Sequence, residues 1–66
     1  MKRLTYDEIR KILSEMERGK GYFDFGIVEV CFDKIGVFKI YHRDKINKKT
    51  TSLAEATLAV KRWISL

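Results

Sequence analysis

The feature that most constrains this chain is the tetrapeptide Asp33-Lys34-Ile35-Gly36, because it stands between two runs rich in Val, Ile, Phe and Tyr. Asp at the first position and Gly at the fourth suit a type I turn followed by a glycine at positive φ, the bulged hairpin loop. That turn sets a register. With Asp33 opposite Val37, Phe32 faces Phe38, Val30 faces Ile40 and Val28 faces His42, and these side chains share one side because orientation alternates along a strand. The other side then holds Cys31 with Lys39, Glu29 with Tyr41, and Ile27 with Arg43. A slip of one residue would carry Lys39 and Glu29 into the core, so the apolar pattern and the turn chemistry select the same pairing. The expectation is an antiparallel hairpin over residues 23–45 with one apolar face and one mixed face. Phe23 and Phe25 continue the mixed face on a straight strand, or return to the core if Gly26 bulges, and the sequence leaves both arrangements open.

Two helices frame the hairpin. At the N-terminal side, Thr5 and Glu8 form a capping box, Leu4 and Ile9 stand where a hydrophobic staple needs them, and Gly19 supplies a left-handed stop. Tyr6, Ile9, Ile12, Leu13 and Met16 recur at the spacing of one helix face, while the charged residues fall elsewhere. At the C-terminal side, Ser52 and Glu55 make a second capping box and Leu53, Ala56, Val60, Trp63 and Ile64 form the stripe. Lys61 and Arg62 occupy the last turn, where positive charge complements the helix dipole. Leu58 lies off the stripe, a single exposed leucine of the kind ordinary on protein surfaces. The fold expected over residues 1–66 is therefore a single α+β domain of order αββα. Both helices cover one face of the hairpin, and residues 46–50 have room for a third short strand.

A chain of 66 residues buries only about 60% of the surface its unfolded form exposes, so its stability margin is thin. The single Cys31 makes no internal disulfide, and no Cys/His group has metal-ligand spacing, so neither metal nor cofactor is expected. Oligomerisation is the remaining way to gain core. Strand edges and a mixed face carrying Ile27, Cys31 and Tyr41 suit a homodimer, against the alternative that these residues are singly exposed and harmless. No apolar stretch spans a bilayer and no charged n-region leads into an apolar h-region, so no membrane partner is expected. One unpaired cysteine fits a reducing cytoplasm.

Charge is the asymmetry with functional content. Residues 1–38 are balanced, residues 39–49 carry a net of +4 through Lys39, Arg43, Lys45, Lys48 and Lys49 against Asp44, and residues 50–66 add a net of +1. A basic strand end and the loop leading to the second helix would form one patch suited to phosphate backbones or another polyanion. Tyr41, with Phe23 or Phe25 beside it, would add the aromatic and basic mixture that single-stranded nucleic acids favour. The competing reading is a solvated surface whose lysines discourage edge aggregation.

Catalytic readings find little to stand on. His42 is the only histidine and falls at the rim of the core face, opposite Val28, where a structural role outweighs general base catalysis. Cys31 has Lys39 as its cross-strand neighbour but lacks a local base and an orienting group. Gly19-Lys20-Gly21 followed by Gly26 has the wrong spacing for a phosphate loop, and no Lys-Ser or Lys-Thr pair opens a helix after it.

From Gly21 onward, the run Gly-Tyr-Phe-Asp-Phe-Gly-Ile-Val-Glu-Val, then Asp33 to Gly36, Val37, Ile40 and Lys45, resembles the helix-then-hairpin pattern of the small bacterial YezD-like proteins. The likeness takes in about 40 residues with the first helix included, and its motifs are mostly hairpin chemistry. The whole of the second helix departs from that pattern. The resemblance implies a small cytosolic protein of bacterial or phage type with a helix and a hairpin, and carries no activity to transfer. The functional expectation is a non-enzymatic binding module, accessory or regulatory, that meets nucleic acid or another polyanion through Lys39, Tyr41, Arg43, Lys45, Lys48 and Lys49. The alternative is a homodimeric protein-interaction module using Ile27, Cys31 and Tyr41 on the mixed face and the strand edges.

Overall fold

The computed structural model of the chain describes residues 4–19, 21–43 and 45–65. Helix α1 (Tyr6–Met16) leads into strands β1 (Tyr22–Asp24), β2 (Val28–Phe32), β3 (Phe38–His42) and β4 (Lys45–Thr50), and helix α2 (Leu53–Ile64) closes the order. The strands form an antiparallel meander, β1-β2-β3-β4. Both helices pack on one side of it, and the α+β class expected from the sequence is the class observed.

The central hairpin has the register that its turn dictates. Val28 pairs with His42, Glu29 with Tyr41, Val30 with Ile40, Cys31 with Lys39 and Phe32 with Phe38. Gly36 N donates to Asp33 O at 3.1 Å, Asp33 N donates to Val37 O at 3.1 Å, and Gly36 adopts φ +88°, the bulged geometry. Asp33 Oδ1 accepts from Ile35 N at 3.1 Å and from Val37 N at 3.0 Å, so one carboxylate satisfies two turn amides. The Val37 amide above all holds the Asp33 carboxyl below its usual value; desolvation opposes it, and the Ile35 amide and the Lys39 ammonium 3.6 Å from Oδ2 add smaller lowering effects.

The sheet has four strands, two more than the expected hairpin. Strand β4 spans the segment with room for a third strand. Strand β1 departs from the sequence expectation, in which residues 23–32 read as one long run of strand formers. The chain instead reverses through Gly26-Ile27: Phe25 N donates to Val28 O at 2.7 Å, and Gly26, at the first central position, takes φ +102°, as in a II′ hairpin. Asp24 Oδ1 accepts from Gly26 N at 2.7 Å, an Asx turn that helps bend the chain there. Phe23 consequently pairs with Val30 on the helix side of the sheet, and its ring meets that of Phe25 at 4.6 Å. Phe25 packs against the core, so Tyr22 and Asp24 take the places on the mixed face.

The core lies between the sheet and the helices. Ile9, Leu13 and Met16 from α1, Val28 and Val30 from β2, Phe38 and Ile40 from β3, and Ala56 and Val60 from α2 are buried together. Tyr6 and Ile12, on the expected α1 stripe, are only half-buried. The α1 capping box forms in both directions, with Glu8 N donating to Thr5 Oγ1 and Thr5 N to Glu8 Oε1. The α2 start is built differently from the reciprocal box expected. Glu55 N donates to Ser52 Oγ, but Ser52 N donates to Thr50 Oγ1, and Thr50 Oγ1 donates in turn to Glu55 Oε1 at 2.6 Å. Buried Thr50 thus joins the end of β4 to the start of α2. Thr57, also buried, satisfies its hydroxyl on Leu53 O at 2.7 Å and occupies a place on the core side that an apolar stripe alone does not reveal.

Candidate functional site: the β4 edge and the two faces of the sheet

Edge strand β4 positions most of the basic residues, and its local geometry decides where each one points. Phe38 pairs with Thr50, Lys39 with Lys49 and Ile40 with Lys48, whereas Tyr41 pairs with Ile46 and His42 with Lys45. Asn47 is the extra residue of a bulge, and its Nδ2 donates to Lys45 O at 3.0 Å. Plain alternation back from buried Thr50 would put Ile46 on the helix side and Lys45 on the open side. The bulge reverses both, so Ile46 joins Tyr41 on the open face and Lys45 joins His42 on the helix side.

The basic set read from the sequence is therefore divided by the sheet. Lys39, Tyr41 and Lys49 belong to the open face. Lys45 and Lys48 lie on the helix side of the rim, and Arg43 sits in the β3–β4 turn with φ +53°, a left-handed conformation uncommon for a residue with a side chain. Phe23 and Phe25 stand at the β1 side of the sheet, with β2 and β3 between them and β4, and contribute no aromatic surface to the basic rim.

On the helix side, β4 and α2 enclose a groove of about 550 Å³. Glu55, Leu58, Ala59 and Arg62 are spaced three or four residues apart, so they line one flank of α2, while Asn47 and Lys48 form the opposite wall. Lys61 and Trp63 complete the lining. Lys61 Nζ donates to Leu4 O at 3.1 Å, which ties the last turn of α2 to the entry of α1 and holds that ammonium there. Trp63 stacks on His42 with ring centroids 4.6 Å apart and an interplanar angle of 28°, so the imidazole has a packing partner at the rim of the core. The Glu55 carboxylate accepts from the Thr50 hydroxyl and keeps its charge, so the lining carries one anion beside the cations Lys48 and Arg62. Sequence reasoning places Lys61 and Arg62 at a helix end and misses that Arg62 lines the same groove as Lys48. The helical spacing of Leu58 with Arg62 is the available signal, since it marks a second, amphipathic flank of α2.

On the opposite side no helix covers the sheet. Across the strands the open face reads Tyr22, Cys31, Lys39, Lys49 in one row and Asp24, Glu29, Tyr41, Ile46 in the next. Ile27 stands just before β2, where its carbonyl accepts from Arg43 N at 3.2 Å. Partial desolvation and the adjacent Glu29 carboxylate raise the Tyr22 phenol above its ordinary pKa.

Among the described residues, no cluster of three or more His, Cys, Asp or Glu is placed to hold a metal ion, and no helix is long and apolar enough to cross a membrane. No protein family model, curated protein or solved structure matches this chain.

Proposed function

We propose that this protein is a small non-enzymatic binding module that holds a polyanion, single-stranded nucleic acid in the first instance, along β4 and in the β4–α2 groove. The observation that supports this reading is the meeting of Lys48 from the strand and Arg62 from the helix in the lining of one groove. Lys45 extends the same positive rim along β4. Phosphates would meet these cations, and Leu58 and Trp63 give the groove apolar wall against which a base can lie. A single strand fits this arrangement better than a duplex, because no helix here offers a basic face with Arg, Asn or Gln set out for base edges. Affinity would come chiefly from phosphate contacts, with little choice of sequence.

The test is a fluorescence anisotropy titration with labelled single- and double-stranded DNA and RNA at about 50 and about 200 mM salt. Single strands should bind more tightly than duplexes, with a steep salt dependence. The variant Lys45→Gln/Lys48→Gln/Arg62→Gln, which leaves the core and the caps intact, should lower the slope of log K against log salt by about 2, from roughly 0.7 for each phosphate contact removed from a single strand. An unchanged affinity and slope in that variant would sink the reading, as would binding confined to low salt and equal for every polyanion tried.

A further inference from the structure

His42 and Trp63, the chain's only histidine and only tryptophan, stack on each other with ring centroids 4.6 Å apart, and Trp63 is also part of the groove lining. The imidazole is half-buried and touches the groove through that one ring. The groups around it come from three elements. From β2 its cross-strand partner is Val28, apolar and fully buried, and from β4 it is Lys45, brought to the helix side by the bulge. From α2 it meets Trp63, whose neighbours in the last turn are Lys61, held on Leu4 O, and Arg62 in the groove lining. Glu55, engaged by Thr50, stands eight residues back along α2, about 12 Å at the rise of a helix. Asp44 lies outside the described residues.

We infer that His42 makes polyanion binding at the β4 rim proton-dependent: the imidazolium completes a cationic pair with Lys45, and the bound phosphates and the proton each favour the other. The inference rests on the groove reading and adds to it a regulation by pH. Imidazole is the side chain whose charge changes between about pH 5 and pH 8. A proton on His42 therefore adds a positive charge to a rim that already carries Lys45, Lys48 and Arg62. Like charges directly opposite each other on an antiparallel pair repel, and His42 with Lys45 is such a pair. An anion lying along β4 relieves that repulsion. The stack on Trp63 keeps the ring in place in either state, since a neutral imidazole packs on the indole and a protonated one is held by its π-face. Coupling between two ligands is reciprocal, so the polyanion must raise the affinity of His42 for its proton by the factor by which the proton raises the affinity for the polyanion.

The probe is labelled oligothymidylate, because neither its phosphodiesters nor its bases change charge over the pH range used. Anisotropy titrations at about 50 mM salt, on the wild type and His42→Gln, should show the wild-type affinity rising about fivefold or more from about pH 8 to about pH 6 and that of the variant nearly level. In parallel, the single imidazole C–H resonance of the wild type is followed by NMR against pH, free and saturated with the oligonucleotide. Its midpoint should lie at higher pH in the complex. A pH dependence equal in the variant and the wild type overturns the inference, as does an imidazole midpoint that the oligonucleotide leaves unmoved. Binding at one affinity across the range overturns it while leaving the groove reading standing, and no binding at any pH overturns both. Circular dichroism checks the fold of the variant; if it does not fold, the NMR arm decides on the wild type alone.

Discussion

On the helix side of the sheet Val28, Val30, Phe38 and Ile40 are fully buried, whereas their immediate neighbours Glu29, Cys31, Lys39 and Tyr41, one residue away on the same two strands, are only half-buried on the open side. Backbone, pairing and strand length are common to both sets. What differs is the layer laid against each: α1 and α2 on one side and nothing from the described residues on the other. Burial on the first side supplies the stability of the domain. The second side is free to carry charge, and it does so in two halves of opposite sign. The comparison teaches that in a two-layer domain of this size the helices cover one face of the sheet and leave the other to solvent.

Substitution on the covered face should have the largest effect. Phe38→Ala removes the largest fully buried side chain and should cost about 3–5 kcal/mol, enough to unfold much of a domain whose whole stability is of that order. Urea denaturation reads this directly. Ile46→Ala on the open face should cost a monomer no more than about 0.5 kcal/mol. A comparable loss at both sites would erase the distinction between the faces. At the join of β4 and α2, Thr50→Ala removes a buried hydroxyl that both donates and accepts, and should cost about 1–2 kcal/mol by the same measurement. Smaller again is the effect of pH at the turn. The folded Asp33 carboxyl lies below its unfolded value, so its contribution is fully present above the ordinary carboxylate range and is lost as pH falls through the folded pKa. Acid titrations of stability should therefore be shallower for Asp33→Asn than for the wild type at the low-pH end. The least change is expected from Leu58→Ser, at a position 60% exposed, where stability should move by less than about 0.5 kcal/mol.

Much of the covered face is legible in the sequence because two independent signals agree there. Asp33 and Gly36 fix the turn, and alternation of Val28, Val30, Phe38 and Ile40 fixes the side. The α1 cap is legible for the same reason, since Thr5 and Glu8 act locally. Strand β1 escapes because Gly26-Ile27 is a weak hairpin signal beside Asn-Gly, and because Phe23, Phe25 and Val28 can be read together as one continuing strand. The division of the basic residues escapes because it depends on a bulge at Asn47, which nothing local in Lys45-Ile46-Asn47-Lys48 announces. The groove requires Lys48 and Arg62 to be brought together from separate elements, a tertiary fact to which charge counting is blind. Thr50 reads as the end of a strand and is also an acceptor at the start of α2, since the sequence pattern of a capping box does not distinguish a direct partner from a relayed one.

The central claim, that the helices cover one face of the sheet and leave the other open, can be tested on the unmodified protein through Cys31, the chain's only cysteine, which sits on the open face beside Lys39 and is partly exposed. The rate constant for its reaction with an aromatic disulfide reagent should be measured for the folded protein and again in urea that unfolds it. The account predicts that the folded protein reacts directly, with a rate constant within about an order of magnitude of the unfolded one and proportional to reagent concentration. A thiol that reacts only at the rate of unfolding, independent of reagent concentration, would contradict it.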